Sequence, residues 1–187
     1  MSLVILILGV ALWWGAHLFK RVAPAARANL QERMGDASKG VVAGALLLSI
    51  ILMIVGWRGA DITLLWVAPP WMTHVNNTLM LVAVFLLGAG HSKGKARAWM
   101  RHPMTTAVGV WAVAHLLVNG DVKSLILFGG LGLWSIVQIR AINRAVPEWE
   151  RPEPGPIAGD IRLVVITLVA YAVITGIHAY FVWPFPG

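Results

Sequence analysis

Long apolar runs alternate with short segments that hold nearly all the charge, and this pattern constrains the fold more than any other feature of the chain. An α-helix needs about 20 apolar residues, with a range of roughly 17–25, to cross the hydrocarbon of a bilayer. Six runs are candidates: Leu3–Phe19, Gly40–Trp57, His74–Gly90, Pro103–Asn119, Val122–Ile139 and Ile161–Trp183. Open strands are excluded at that depth because their edge amides would stay unpaired. Runs this uninterrupted also lack the alternation of a membrane barrel. The expected fold is all-α, a polytopic transmembrane helix bundle of about six spans.

Punctuation residues fall where this division needs them. Asn119-Gly120-Asp121 reads as a turn between the fourth and fifth spans. Pro103 suits the first turn of a helix, with His102 just outside it. Pro147, Pro152, Pro154 and Pro156 mark a non-helical linker, and Pro69-Pro70 interrupts the segment between the second and third spans. No basic residue precedes Leu3–Phe19, and Lys20 and Arg21 follow it, so it reads as a retained span rather than a signal peptide.

The basic residues set an expected orientation. The first loop carries Lys20, Arg21, Arg27, Arg33 and Lys39, the third Lys93, Lys95, Arg97 and Arg101, and the fifth Arg140, Arg144 and Arg151. The second and fourth carry only Arg58 and Lys123. Cytoplasmic loops are the Lys/Arg-rich ones. The odd-numbered loops are therefore expected in the cytoplasm and both termini on the non-cytoplasmic side, as in a multi-pass membrane protein. Trp57, Trp66, Trp71, Trp99 and Trp183 fall near the expected interfaces, as an aromatic belt requires. Ile62–Trp71 is apolar but too short to span and is expected along the outer interface. Gly40/Gly44, Gly88/Gly90 and Gly129/Gly130/Gly132 read as places where helix backbones approach closely.

Composition narrows the chemistry. Only 12% of residues are charged, against about a quarter in soluble domains. An excess of 15 Lys+Arg over 8 Asp+Glu suits either nucleic acid or a membrane surface. Nucleic-acid binding needs a solvated basic face, which charges confined between apolar runs do not make, so lipid is the expected partner. With no cysteine, disulfides, thiolate metal sites, cysteine nucleophiles and covalent c-type haem attachment are excluded. A metal would have to use His, Met, carboxylate or backbone oxygen.

Histidine is what the expected membrane interior offers for chemistry, since no carboxylate falls inside the runs. At about 1.5 Å per residue, His17 lies at the cytoplasmic end of the first span, and His91 and His102 flank the basic third loop on the same side. His115 and His178 lie in the outer half, and His74 at the outer surface. A haem iron held by two imidazoles needs both at similar depth. Two groupings satisfy this. His17 with His91 or His102 would sit near Lys93, Lys95, Arg97 and Arg101, which could meet haem propionates, and so has the better electrostatics. His115 with His178 or His74 would sit near the outer face. For His91, His102 and His74 a bland alternative is an interfacial or capping role, and for His115 an interhelical hydrogen bond.

Other polar groups read more modestly. Asn76, Asn77 and Thr78 are expected to bond between helices, and Gln138, Arg140, Asn143 and Arg144 to snorkel. His91-Ser92-Lys93-Gly94-Lys95 resembles a phosphate cradle but lacks the strand–loop–helix context of a nucleotide site.

The segment Leu12-Trp13-Trp14-Gly15-Ala16-His17-Leu18-Phe19-Lys20-Arg21 resembles the opening of the NnrU family of bacterial membrane proteins. Arg101-His102-Pro103, Trp111-Ala112-Val113-Ala114-His115-Leu116-Leu117 and Asn119-Gly120-Asp121 are similar to the family's central block. The resemblance covers nearly the whole of residues 1–187 and so implies one NnrU-like transmembrane domain. It implies a link to denitrification and nitric oxide metabolism, with respiratory or denitrification membrane proteins as partners. The zeta-carotene isomerase branch of the family adds haem b held by histidines. By motif, its first-span histidine falls on His17 and its central pair on His102 and His115, and these are the expected haem-binding residues, His17 and His115 for the iron, with Arg101 considered as a propionate partner. Where that branch has a His-His pair in the fifth span, this chain reads Leu133-Trp134-Ser135-Ile136, so a haem would need another partner here, such as His91 or His178.

The leading expectation is thus a haem b-associated NnrU protein, enzymatic only if haem supports redox or isomerase chemistry. The alternatives are a non-enzymatic assembly or transport partner, a zeta-carotene-isomerase-like haem isomerase, and a membrane methyltransferase. The last is suggested by Arg101-His102-Pro103, but Thr105 stands where such enzymes usually carry Tyr.

Overall fold

The computed structural model describes residues 1–181. In chain order its helices are α1 (Ser2–Val22), α2 (Pro24–Met34), α3 (Ala37–Gly59), α4 (Met72–Ala89), α5 (Pro103–Val118), α6 (Val122–Ala145) and α7 (Ile157–Phe181). A short 3₁₀ turn covers Lys95–Ala98, and no strand is present among the described residues, only an isolated bridge between Leu64 and Asp121. Five helices (α1, α3, α4, α6 and α7) are long and apolar enough to cross a membrane. The sixth apolar helix, α5, has 16 residues, about 24 Å of rise, and falls just short of that length. The apolar runs thus mark every long helix. Trp183, expected at the last interface, lies outside the described residues.

Two corrections concern helix ends. The last helix begins at Ile157, ahead of the expected Ile161, so one carboxylate, Asp160, does lie in an apolar helix, in its first turn. The first loop contains α2, which is polar and has no buried residue, so no apolar run announces it. Pro24 opens α2, and Gly35 ends it at φ +55°, a left-handed conformation that favours glycine.

The chain forms two compact units, 1–66 with 120–147 and 67–119 with 148–187. In the first unit α1 packs on α3 and α6. A Cβ on Gly9 would come 2.8 Å from the Met53 backbone nitrogen and 3.0 Å from the Ser49 carbonyl oxygen. A Cβ on Gly56 would run into the Leu6 backbone. These two glycines let α1 and α3 approach backbone to backbone. Gly40 and Gly44, expected to do so, face open space: a methyl at either position would have nothing within 4 Å. Gly130 does make a close approach, its Cβ position lying 2.8 Å from a Val10 methyl.

Backbone hydrogen bonds tie the second loop to the fourth. Leu65 and Trp66 amides donate to the Gly120 carbonyl (2.7 and 3.1 Å), and the Val122 amide donates to Thr63 (3.0 Å). A side chain on Gly120 would collide with the Trp66 carbonyl, which is why the predicted turn needs glycine there. Asp121 caps α6, accepting from the Ser124 amide (2.9 Å) and hydroxyl (2.8 Å). Buried Lys123 donates to the Ala60 carbonyl (3.1 Å), its ammonium 4.5 Å from the Trp57 ring centre. Ser2 also lies where a Cβ on Gly59 would reach, so the N-terminus and these two loops share one end of the unit. Leu125–Gly129 forms a π-helical turn inside α6.

In the second unit α4 packs on α5 and α7. A Cβ on Gly88 would meet only the tip of Leu163, at 2.7 Å. The third and fifth loops are joined: the Lys95 and Ala96 amides both donate to the Asp160 carboxylate at 2.9 Å, and the Gly155 amide donates to Gly94 at 3.1 Å. A side chain on Gly159 would collide with the Gly94 backbone. Of the cradle-like loop, the Lys95 amide is thus directed at a carboxylate of the protein itself and the Gly94 amide at the Ser92 hydroxyl (3.0 Å).

Helix surfaces confirm what solvent this fold suits. Leu163 and Thr167 are the buried residues of α7, while Val164, Val165, Ile166, Leu168 and Val169 are exposed. An apolar surface this continuous does not suit water and matches a multi-pass protein in lipid.

Candidate functional site

Four histidines lie within apolar helices, and three of them, His17, His115 and His178, share one local device. The Nδ1 of His17 is 3.0 Å from the Trp13 carbonyl, that of His115 is 2.9 Å from Trp111, and that of His178 is 3.3 Å from Ile174. Each partner is four residues earlier, on the same helix face. A carbonyl only accepts, so Nδ1 carries a proton in each ring. In the neutral imidazole the lone pair is then on Nε2. This is the arrangement in which histidine binds a metal, with its other ring nitrogen held by an acceptor.

The surroundings of the three rings differ. His17, in the first unit, is half-buried and lies between two indoles, with ring centres 4.2 Å from Trp13 and 4.7 Å from Trp134. Trp13 and Trp134 also meet each other edge to face at 5.4 Å. Their buried indole N–H groups have no acceptor among the described residues, whereas Trp14 donates to the Gly130 carbonyl at 3.1 Å.

In the second unit, His115 and His178 come together from α5 and α7 with ring centres 6.4 Å apart. Trp111 stands 5.1 Å from His115. The Asn119 side chain and amide both donate to the His115 carbonyl, at 2.8 and 2.9 Å, ending α5 just beyond the ring. Residue counting puts His115 and His178 at similar depth, and α5 and α7 bring the two rings together.

The other candidates fall elsewhere. His91 is exposed just past the end of α4, and His102 is the residue before α5. Those two helix ends are neighbours, since a Cβ on Gly90 would lie 3.0 Å from the Pro103 ring. Arg101, considered for a propionate, donates to the Glu148 carbonyl at 3.2 Å. His74 is exposed, and its carbonyl accepts from Thr78 (2.9 Å). Asn76 bonds its neighbour Asn77 (3.1 Å), while across helices it is the Asn77 carbonyl that accepts, from Tyr171 (3.2 Å). His17 belongs to one unit and His91, His102, His115 and His178 to the other.

Sequence reasoning passes over three residues that these contacts bring forward. Trp13 is one turn before His17 and can be found from spacing. Trp134 and Asp160 reach their partners through tertiary packing, which no local pattern records.

A bare metal ion is poorly served here. No group of three or more His, Cys, Asp or Glu suited to a metal occurs among the described residues, and a structural ion such as zinc takes about four ligands. His115 and His178 do offer a pair of imidazoles, a donor type that haem iron takes from protein.

No curated protein and no solved structure matches the chain. The family model described as "NnrU protein" matches residues 5–184, and on that nearly full-length match the chain belongs to the NnrU family.

Proposed function

We propose that this NnrU-family membrane protein binds haem b through His115 and His178 and acts in nitrogen-oxide metabolism. The observation that carries the haem reading is the meeting of two anchored imidazoles with ring centres 6.4 Å apart. At that separation the two imidazoles are close enough that both would serve one metal held between them. His115 and His178 would hold the iron, and their carbonyl partners would fix ring orientation and tautomer. When bound, haem would supply the redox or isomerisation chemistry. The protein's own part would be to set the ligand pair, hold it away from water, and present it at one depth in the bilayer. His17, His102, His91 and Arg101 lie outside this pair, and the nitrogen-oxide role rests on family membership.

In the same reading α5 crosses the membrane as a sixth span, both termini are non-cytoplasmic, and the protein resides in the bacterial inner membrane. The uneven distribution of basic residues supports this. So does the sharing of one end by the N-terminus and the second and fourth loops.

The test is an absorption spectrum of detergent-purified protein, oxidised and dithionite-reduced. A Soret band that shifts on reduction, and that is lost in His115→Ala and in His178→Ala, is the expected result. Colourless protein from haem-replete cells would overturn the haem reading and favour an assembly or transport partner.

A further inference from the structure

We propose that the corner formed by α1, α2 and α3 binds one anionic phospholipid. An open groove of about 320 Å³ lies there, lined by His17 and Lys20 of α1, Arg27 of α2, and Lys39, Val42 and Leu46 of α3. Its chemistry is graded along the helices. Lys20, Arg27 and Lys39 supply its positive charge. Val42 and Leu46 follow Lys39 down α3, Leu46 about 10 Å deeper by helical rise. Cations at one end and an apolar wall at the other match an amphiphile whose head is a phosphodiester and whose tail is a hydrocarbon chain. Basic pockets between transmembrane helices are where acidic lipid headgroups bind.

The local contacts leave these cations available to a phosphate. Lys39 pairs with Asp36 at 2.7 Å, but both side chains are largely exposed, 70% and 87%, and an exposed pair of this kind contributes little. Arg27 spends one N–H on Gln31 at 3.3 Å, and a guanidinium has five. Gln31 is held in turn by buried Ser38, which donates to the same oxygen and fixes α2 against the start of α3. α2 has no buried residue, so core packing does not explain why a polar helix returns to this corner. Carrying Arg27 to the groove does. The site lies in the first unit and does not depend on the haem reading.

Native mass spectrometry on delipidated full-length protein, titrated with phosphatidylglycerol, tests this. One phosphatidylglycerol is expected to be retained. Each cation lost should weaken retention roughly fivefold, so Arg27→Gln is expected to cost about fivefold and the Lys20→Gln, Arg27→Gln, Lys39→Gln triple variant roughly a hundredfold. Removing charge elsewhere, in Lys95→Gln with Arg97→Gln, should leave retention unchanged. Should the triple variant fail to insert, Leu46→Trp serves in its place: it fills the apolar wall, leaves every cation present, and should also abolish retention. Equal retention of phosphatidylcholine would overturn the proposal, as would undiminished retention by the triple variant or by Leu46→Trp. Displacement of the lipid by millimolar inorganic phosphate would likewise overturn it, by assigning the groove to a soluble anion.

Discussion

The two units treat their intramembrane histidines in opposite ways. In the first, His17 is closed in by Trp13 and Trp134, and the helices beside it approach backbone to backbone at Gly9 and Gly56. In the second, His115 faces another imidazole, and α4 meets α7 through the flexible end of Leu163. All three rings carry the same Nδ1 anchor, so the anchor alone does not distinguish a ligand from a packed ring. What does is the next group across the interface. An indole completes an aromatic cluster, whereas a second imidazole offers another lone pair.

The contrast can be broken most sharply by exchanging the sites. His115→Ala should eliminate the haem absorption band while His17→Ala preserves it. The reverse pattern in reduced-minus-oxidised spectra would move the cofactor to the first unit. The packing difference is next in size. Gly56→Leu should destabilise the protein by about 3 kcal/mol, since its side chain has only the Leu6 backbone to displace. Gly88→Leu should cost nearer 1 kcal/mol because the Leu163 tip can turn aside. Thermal unfolding in detergent reads both, and equal shifts would erase the distinction between the units.

Smaller effects belong to the loops. Asp160→Ala leaves the Lys95 and Ala96 amides without their carboxylate, a local loss of the kind a helix cap suffers. It should appear as faster proteolytic cleavage between residues 92 and 98, and Asp160→Asn, which keeps an acceptor, should restore much of the protection. The smallest effect is expected at Gly44, where a methyl meets nothing within 4 Å. Gly44→Ala should leave the unfolding temperature unchanged or raise it slightly through helix propensity.

Some of these features are legible in the sequence and others are not. Apolar runs mark all the long helices because lipid demands a continuous hydrocarbon surface, whichever neighbours a helix has. The similar depth of His115 and His178 can be anticipated because depth follows from counting residues along straight helices. Counting says nothing about lateral position. The small-residue pattern at Gly40 and Gly44 misleads for the same reason: it records which faces permit contact, not which faces obtain it. Asp160 escapes notice because helix starts are softer than helix interiors, and α2 because nothing in it needs burial.

Each unit draws on two separated stretches of chain, with residues 120–147 completing the first and 148 onward completing the second. During synthesis the first two long helices would therefore enter the bilayer well before α6 reaches them, and α4 and α5 would wait in turn for α7. Nascent intermediates would expose Val10, which Gly130 of α6 later meets, and Gly88, which Leu163 of α7 later meets, to lipid or to other membrane proteins in the interval. A chain cut after Asn119 would deprive both units of their closing helix at once, so the two fragments should be recovered in folded form only when expressed together.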